Sequence, residues 1–382
     1  MDAAWTVRPG IINLLVASSQ QSYSFDRAGR LHGAFVEGRH YRRALDNRVL
    51  AKWGVPAGRQ VGWLAPEEAQ AFLEAAYDVA LKAAPDALDP ALDVLRRWSW
   101  AELAADAAGF TRTYRWPVSV LPPDQYLALV VQATEGCSYN RCTFCDLYQD
   151  RPFRMKGPRE LREHLAEIER FFGPALALRK SLFLADANAL VAPMPRLRAW
   201  LDAIEEARVT PPDGICAFVD SFSAGCRSEH EWRELARRGL CRVSIGLESG
   251  DEELLRFLHK QGRVKDAVAA VARLKAAGIR VGVIVLIGAG GSLFAAQHLE
   301  HTARALSDMK LGAGDIVYLS PLVDHAGSAY GELACEAGIR PLAAPEMAQQ
   351  EAEFRSALGK ALPAGRPGRP QIARYDIREL VY

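Results

Sequence analysis

The stretch that decides the fold is YLALVVQATEGCSYNRCTFC, residues 126–145. Its first eight residues, 126–133, form an almost unbroken apolar run, as expected of a strand covered on both faces. A glycine follows, Gly136, which lets the chain turn sharply. Then three cysteines, Cys137, Cys142 and Cys145, fall in quick succession with the spacing C-x4-C-x2-C. The loop between them is polar, with Ser138, Asn140, Arg141 and Thr143, which is not core composition. A disulfide would use two thiols and strand the third. A zinc site would want a fourth ligand, and Asp146 is the only close candidate, because the next histidine, His164, falls in a helical pattern. An iron–sulfur cluster on three thiolates leaves one iron open to a small molecule.

Downstream, apolar runs recur at 181–185, 215–219, 241–247, 280–287 and 315–320. Between them lie helical patterns at 158–172, 194–208, 228–238, 251–277 (broken near Gly262) and 292–309. Six strands alternating with helices imply right-handed crossovers and a parallel sheet. The sheet is either open and doubly wound or part of a (β/α) barrel. In both, ligand chemistry belongs on the loops after the C-terminal strand ends, where the three cysteines sit.

The first 122 residues read differently. Turn residues between short alternating runs at 25–45 suggest a small hairpin region. Helices are expected from Pro66 and from Pro90, the second ending at Gly109. Leu121, Pro122 and Pro123 mark a boundary. The expected units are therefore 1–122, a subdomain and possible substrate cap; 123–335, the strand–helix unit; and 336–382, a helix at 345–358 and a tail. Within the tail, PAGRPGRP (363–370) reads as a loop, and RYDIRELVY as a returning strand.

Bulk composition narrows the class. Lys plus Arg is 47 and Asp plus Glu 46, a net charge of +1 that argues against a general nucleic-acid or anionic-membrane binder. No apolar run approaches ~18 residues, so no membrane span is expected. Seven cysteines without a secretion signal fit a reducing cytoplasm.

The cysteine loop GCSYNRCTFC resembles that of radical S-adenosylmethionine (radical SAM) enzymes, in which C-x3-C-x2-C is the more usual spacing. Phe144, an aromatic just before the last cysteine, is also the family habit. LADANAL (184–190), SIGLESGDEELLRFLHKQGR (244–263), VIVLIGAGG (283–291) and HLEHTA (298–303) are similar, in order, to family segments over about 126–330. The nearest subgroup is that of anaerobic coproporphyrinogen oxidase and methylthiotransferase cores. The resemblance implies an α/β fold, a partial (β/α)6 TIM-like barrel with an N-terminal α+β subdomain. It implies a [4Fe–4S] cluster on Cys137, Cys142 and Cys145, with S-adenosylmethionine (SAM) chelating the open iron. Reductive cleavage would then release a 5′-deoxyadenosyl radical that takes hydrogen from a small biosynthetic intermediate. The electron would come from a donor such as flavodoxin or ferredoxin.

Carried over by position, Phe144, Asp186, Asn188, Glu248, Ser249, Ile287 and Gly288 are the expected cofactor contacts. Each has a plainer alternative: a core aromatic at Phe144, capping at Asp186, Asn188, Glu248 and Ser249, a tight turn at Gly288. Asp324 and His325, after the sixth strand, are the catalytic candidates. His298 and His301 lack a third ligand and read as packing residues, Cys216 and Cys241 as buried thiols. Arg151 and Arg154 could help seat the cofactor, and Tyr41, Arg42 and Arg43 could meet substrate, or be solvated charges. An RNA-modifying enzyme and a zinc-binding interaction module are the alternatives, the former resting on the basic tail near Arg366 and Arg369.

Overall fold

The computed structural model describes residues 2–54, 60–84, 92–209, 211–325, 327–361 and 368–382. Pro90, Arg366 and the 363–367 part of the Pro/Gly/Arg stretch lie outside them. The N-terminal region is an antiparallel meander of seven strands in sequential order: β1 (Ala3–Val7), β2 (Ile11–Val16), β3 (Gln21–Asp26), β4 (Leu31–Val36), β5 (Arg39–Arg43), β6 (Val49–Trp53) and β7 (Gln60–Trp63). The expected hairpin at 25–45 is its middle portion. Strands such as RHYRR (β5) face solvent on one side and carry little apolar alternation, which hides them from a pattern search. Helices α1 (Pro66–Lys82) and α2 (Trp100–Thr113) cover the other face, with Leu73, Tyr77 and Leu103 packed against Ile12, Leu14 and Phe25. Ser99 caps α2 by accepting the Glu102 N–H, so the helix starts ten residues after Pro90 and runs through Gly109.

The second sheet is built from β8 (Leu129–Gln132), β11 (Leu182–Ala185), β12 (Ile215–Phe218), β13 (Leu240–Glu248), β14 (Arg280–Ile287), β15 (Ile316–Pro321) and β16 (Gln371–Arg374), all parallel. Just after β8, the short strands β9 (Thr134–Glu135) and β10 (Arg154–Met155) pair across the base of the cysteine loop. The seven parallel strands are neighbours in chain order, which is barrel order and not the reversing order of a doubly wound sheet. The edge strands β8 and β16 are not hydrogen-bonded to each other, so the barrel is partial. The six expected strands are all present. A seventh is added by QIAR (β16), whose last residue, Arg374, is the first of RYDIRELVY; the rest of that stretch is not strand and holds a 3-10 turn at Ile377–Glu379.

The crossovers are α3 (Pro158–Phe172), α4 (Met194–Ala207), α5 (Ser221–Gly225), α6 (Glu229–Arg237), α7 (Glu252–Phe257), α8 (Val264–Ala276) and α9 (Gly291–Asp308), with α10 (Ala329–Glu336) and α11 (Ala344–Ala361) between β15 and β16. In α3 the buried residues Leu161, Leu165, Ile168 and Phe172 recur at helical spacing and form its inner stripe. The break at Gly262 separates α7 from α8, with φ +88°.

His298 and His301 do pack. The His298 Nε2 lies 2.7 Å from the Leu286 carbonyl and so donates to it, leaving Nδ1 to accept from the Ser249 hydroxyl at 2.8 Å. His301 bonds Asp251 at 2.7 Å, and the Gly250 N–H donates to Thr302 Oγ1 at 2.7 Å. Helix α9 is thereby pinned to the end of β13. Burial pushes the His298 imidazole down to about 4. Below the ordinary value of 6.5, the unfolded chain binds a proton at this site and the folded chain does not, so stability falls as pH falls. Between pH 6.5 and 5 this one residue should cost about 2 kcal/mol. His298→Asn should lose visibly less stability over that interval than the parent in urea melts; equal losses would remove His298 as the cause.

Candidate active site

The three cysteines line one cavity at the C-terminal end of the barrel, of about 390 Å³. Gly136, with φ +78°, turns the chain from β9 into the loop, and Asn140, at φ +48°, takes a left-handed conformation that Asn tolerates. The Asn140 amide donates to the Tyr148 carbonyl at 2.9 Å, so the longer first spacing is absorbed by an anchored turn. The Thr143 N–H donates to the Leu258 carbonyl and the Tyr330 N–H to the Thr143 carbonyl, both at 3.1 Å. These bonds hold the loop to α7 and α10 without using a thiol.

All three thiols are half-buried and unbonded to each other. Burial pushes the Cys142 thiol up to about 11, against the pull of Lys260, and the Cys145 thiol up to about 12. Burial so favours the neutral thiol that a metal must displace these protons. Among the described residues, no three His, Cys, Asp or Glu side chains converge tightly enough to grip a single ion. The donor set is instead three thiols spread over the wall of a cavity with space in front of them. That chemistry fits a [4Fe–4S] group, which takes thiolate ligands at separate irons.

Three of the expected cofactor contacts and one of the two catalytic candidates reach the cavity. Phe144, Asn188, Glu248 and His325 line the cavity. Asn188 is buried and its amide bridges Ser138 Oγ, at 2.9 Å, and the Asp220 carboxylate. Glu248 has φ +61° and sits at a register shift between β13 and β14. Its Oε1 accepts from Lys260 Nζ at 3.0 Å. Burial alone would lower the Lys260 ammonium, but Glu248 and Cys142 beside it outweigh that and raise it. At the mouth, His325 Nε2 lies 2.6 Å from Asp146.

The others are elsewhere. Asp186 is buried behind the loop and not on the cavity wall: it accepts the Gly136 N–H and the Gln132 amide, each at 3.2 Å. Burial pushes its carboxyl up to about 6, and those two donors limit the rise. Arg151 stacks 4.6 Å from the Trp116 ring and 4.0 Å from Asp186, and Arg154 pairs with Glu135 and Glu160; both brace the loop from outside. Ser249 turns away to His298. Along β14 the side chains alternate, so Ile284 and Leu286 meet the cavity while Ile287 points into the helix layer. Gly288 donates to Gln350 at 2.7 Å and lies under Met347 of α11. Asp324 binds the Ser328 hydroxyl that caps α10. Cys216 and Cys241 are neighbours on β12 and β13, 3.9 Å apart, and outside this cavity, while Tyr41, Arg42 and Arg43 are on the meander and reach no part of it.

Asp220, Lys260 and Tyr375 are among the lining residues that escaped the sequence reading. Asp220 is the first polar residue after the apolar run of β12, the position that Asp186 holds after β11. Most of the remaining wall is apolar, including Val120, Leu147, Phe218, Ile284, Leu322 and Ile377. Val120, Tyr375 and Ile377 come from the segments flanking β8 and β16, and close the side that the partial barrel leaves open.

Residues 131–292 match the profile of the Radical SAM superfamily. No curated protein matches the sequence. Solved structures give loose likenesses. Coproporphyrinogen III oxidase (HemN) from Escherichia coli is 13% identical, with a TM-score of 0.46 over 67% of this chain and 56% of that one. Archaeal Methanocaldococcus infernus Elp3 is 18% identical, TM-score 0.42, over 67% and 62%. HydG, a maturase of the [FeFe]-hydrogenase, is 13% identical, TM-score 0.43, over 78% and 66%. The chain thus spans less than two thirds of the length of each of these relatives. Residues 131–292, with the cysteine loop and the ordered motifs they contain, thus carry the pattern of the radical SAM superfamily.

Proposed function

We propose that this protein is a radical SAM enzyme acting on a small, largely apolar molecule, with Cys137, Cys142 and Cys145 as the ligands of a [4Fe–4S] cluster. The observation that carries the reading is the meeting of three thiols with Asn188, Asp220, Glu248 and Lys260 around one cavity. With cluster and SAM bound, the chemistry supplied is reductive cleavage of SAM to a 5′-deoxyadenosyl radical, with the electron from an external one-electron donor. The chain's own residues do the rest. Lys260 offers a buried cation to the SAM carboxylate. Asp220 and Asn188 offer acceptors to its ammonium group, and Glu248 an acceptor to a ribose hydroxyl. Phe144 supplies an apolar face for the adenine. The apolar walls exclude water, which would otherwise compete for a reactive intermediate.

Closure of the barrel's open side by Val120, Tyr375 and Ile377 favours a substrate that enters through the mouth, past Asp146 and His325. That supports a small molecule over a folded RNA. We assign this chemistry to the unit 123–335, with the wall completed by Val120 from 1–122 and by Tyr375 and Ile377 from 336–382. Metal analysis after anaerobic reconstitution separates the readings: about four irons per chain is expected, whereas about one zinc and no iron would favour a zinc module.

A further inference from the structure

Away from the active site, the meander meets the base of the barrel around a second, small cavity of about 30 Å³. Its wall is built by Arg30, His32, Arg42 and Arg43 from the meander and by Arg179, which precedes β11. Four guanidiniums, those of Arg30, Arg42, Arg43 and Arg179, gather here against two carboxylates, Asp26 and Asp106. Asp106 takes Arg30 at 2.7 Å and Arg43 at 3.3 Å, and Asp26 lies 3.8 Å from Arg30. Among the described residues, no carboxylate pairs with Arg42 or Arg179. Arg179 donates from Nη1 to the Ala128 carbonyl, at 3.3 Å, and stacks on Phe172 and Tyr382. Arg42 stacks on Tyr126.

Three donors are left over. Arg30 Nη1, Arg42 Nε and Arg179 Nε are buried and have no hydrogen-bond partner. Arg30 is 4% exposed and Arg179 9%. A buried charge without a counter-charge is costly, and a buried guanidinium N–H without an acceptor adds to that cost. A cavity lined by such donors, with an excess of positive charge, is built for an anion. The volume leaves room for about two water-sized spheres, enough for a monoatomic anion.

We propose that this cavity holds one halide ion, chloride under ordinary conditions, which bonds the meander to the barrel by accepting from Arg42 Nε and Arg179 Nε together. The two arginines belong to different layers, β5 and the β11 lead-in, so the ion is a fastener between them. It takes no part in the chemistry of the cysteine cavity.

The test uses the full chain. Crystals grown with bromide should show an anomalous peak within hydrogen-bond reach of Arg42 and Arg179; a water or empty density there overturns the proposal. In solution, Tm should rise and saturate with chloride or bromide, and should not do so with gluconate or sulfate at matched ionic strength. An equal rise with sulfate would be general screening and would overturn it. Arg179→Met should lose the halide-dependent rise while its Tm in gluconate stays close to that of the parent. A retained halide rise in that variant also overturns it, and if the variant does not fold, the bromide peak in the parent chain decides.

Discussion

Cys142→Ala should yield a folded protein that takes up no stable [4Fe–4S] cluster and forms no 5′-deoxyadenosine above background. The side chain lines the cavity, and it is the middle of the three proposed ligands, so its loss leaves two thiols that cannot hold a cluster with an open iron. The fold should survive. The loop is held by backbone bonds from Thr143 to Leu258 and from Tyr330 to Thr143, by Tyr139 on the His259 carbonyl and by Asn140 on Tyr148. Removing one half-buried sulfur should cost about 1 kcal/mol in the metal-free chain. Because burial pushes this thiol up to about 11, cluster loading must also release its proton, and loading should be faster at alkaline pH. Iron and sulfide analysis with the visible absorption spectrum reads the first outcome. A variant with its full iron content would reject Cys142 as a ligand.

Lys260→Met should weaken SAM binding by about 100-fold and destabilise the chain by about 3 kcal/mol, because it strips the counter-charge from a buried carboxylate. Glu248 accepts from Lys260 at 3.0 Å, and both side chains are largely enclosed. The double variant Lys260→Met, Glu248→Gln removes both charges and should recover most of the stability without recovering SAM affinity. Equilibrium dialysis with labelled SAM and urea melts separate the two effects. If the double variant binds SAM as the parent does, the pair is a structural ion pair and not part of the cofactor site.

The barrel strands were legible because each is buried on both faces and therefore written as an apolar run; LFLA, ICAF and RVGVIVLI are found where the pattern puts them. The meander was not, since its strands are half exposed and one, RHYRR, is almost wholly polar. The seventh barrel strand, QIAR, is short and its edge lies open, so no apolar run announces it. The cluster loop was legible as chemistry, because three cysteines in a polar loop have few other uses. The cavity wall was only half legible. A motif gives a position on a strand but not the parity of its side chain, and at β13 a register shift sends Glu248 to the cavity while Ser249 turns to His298. At Asp186 the residue next to the cavity became a brace for the Gly136 turn. Lys260 and Tyr375 reach the site from a loop after α7 and from the residue just past β16, and contact at that separation leaves no local signature in sequence.

The most direct measurement is anaerobic turnover. The reconstituted full chain, given SAM and dithionite, should release 5′-deoxyadenosine and methionine in equal amounts, and Cys142→Ala should release neither. A chain with an intact [4Fe–4S] spectrum that binds SAM and yet forms no 5′-deoxyadenosine would contradict the proposed radical chemistry.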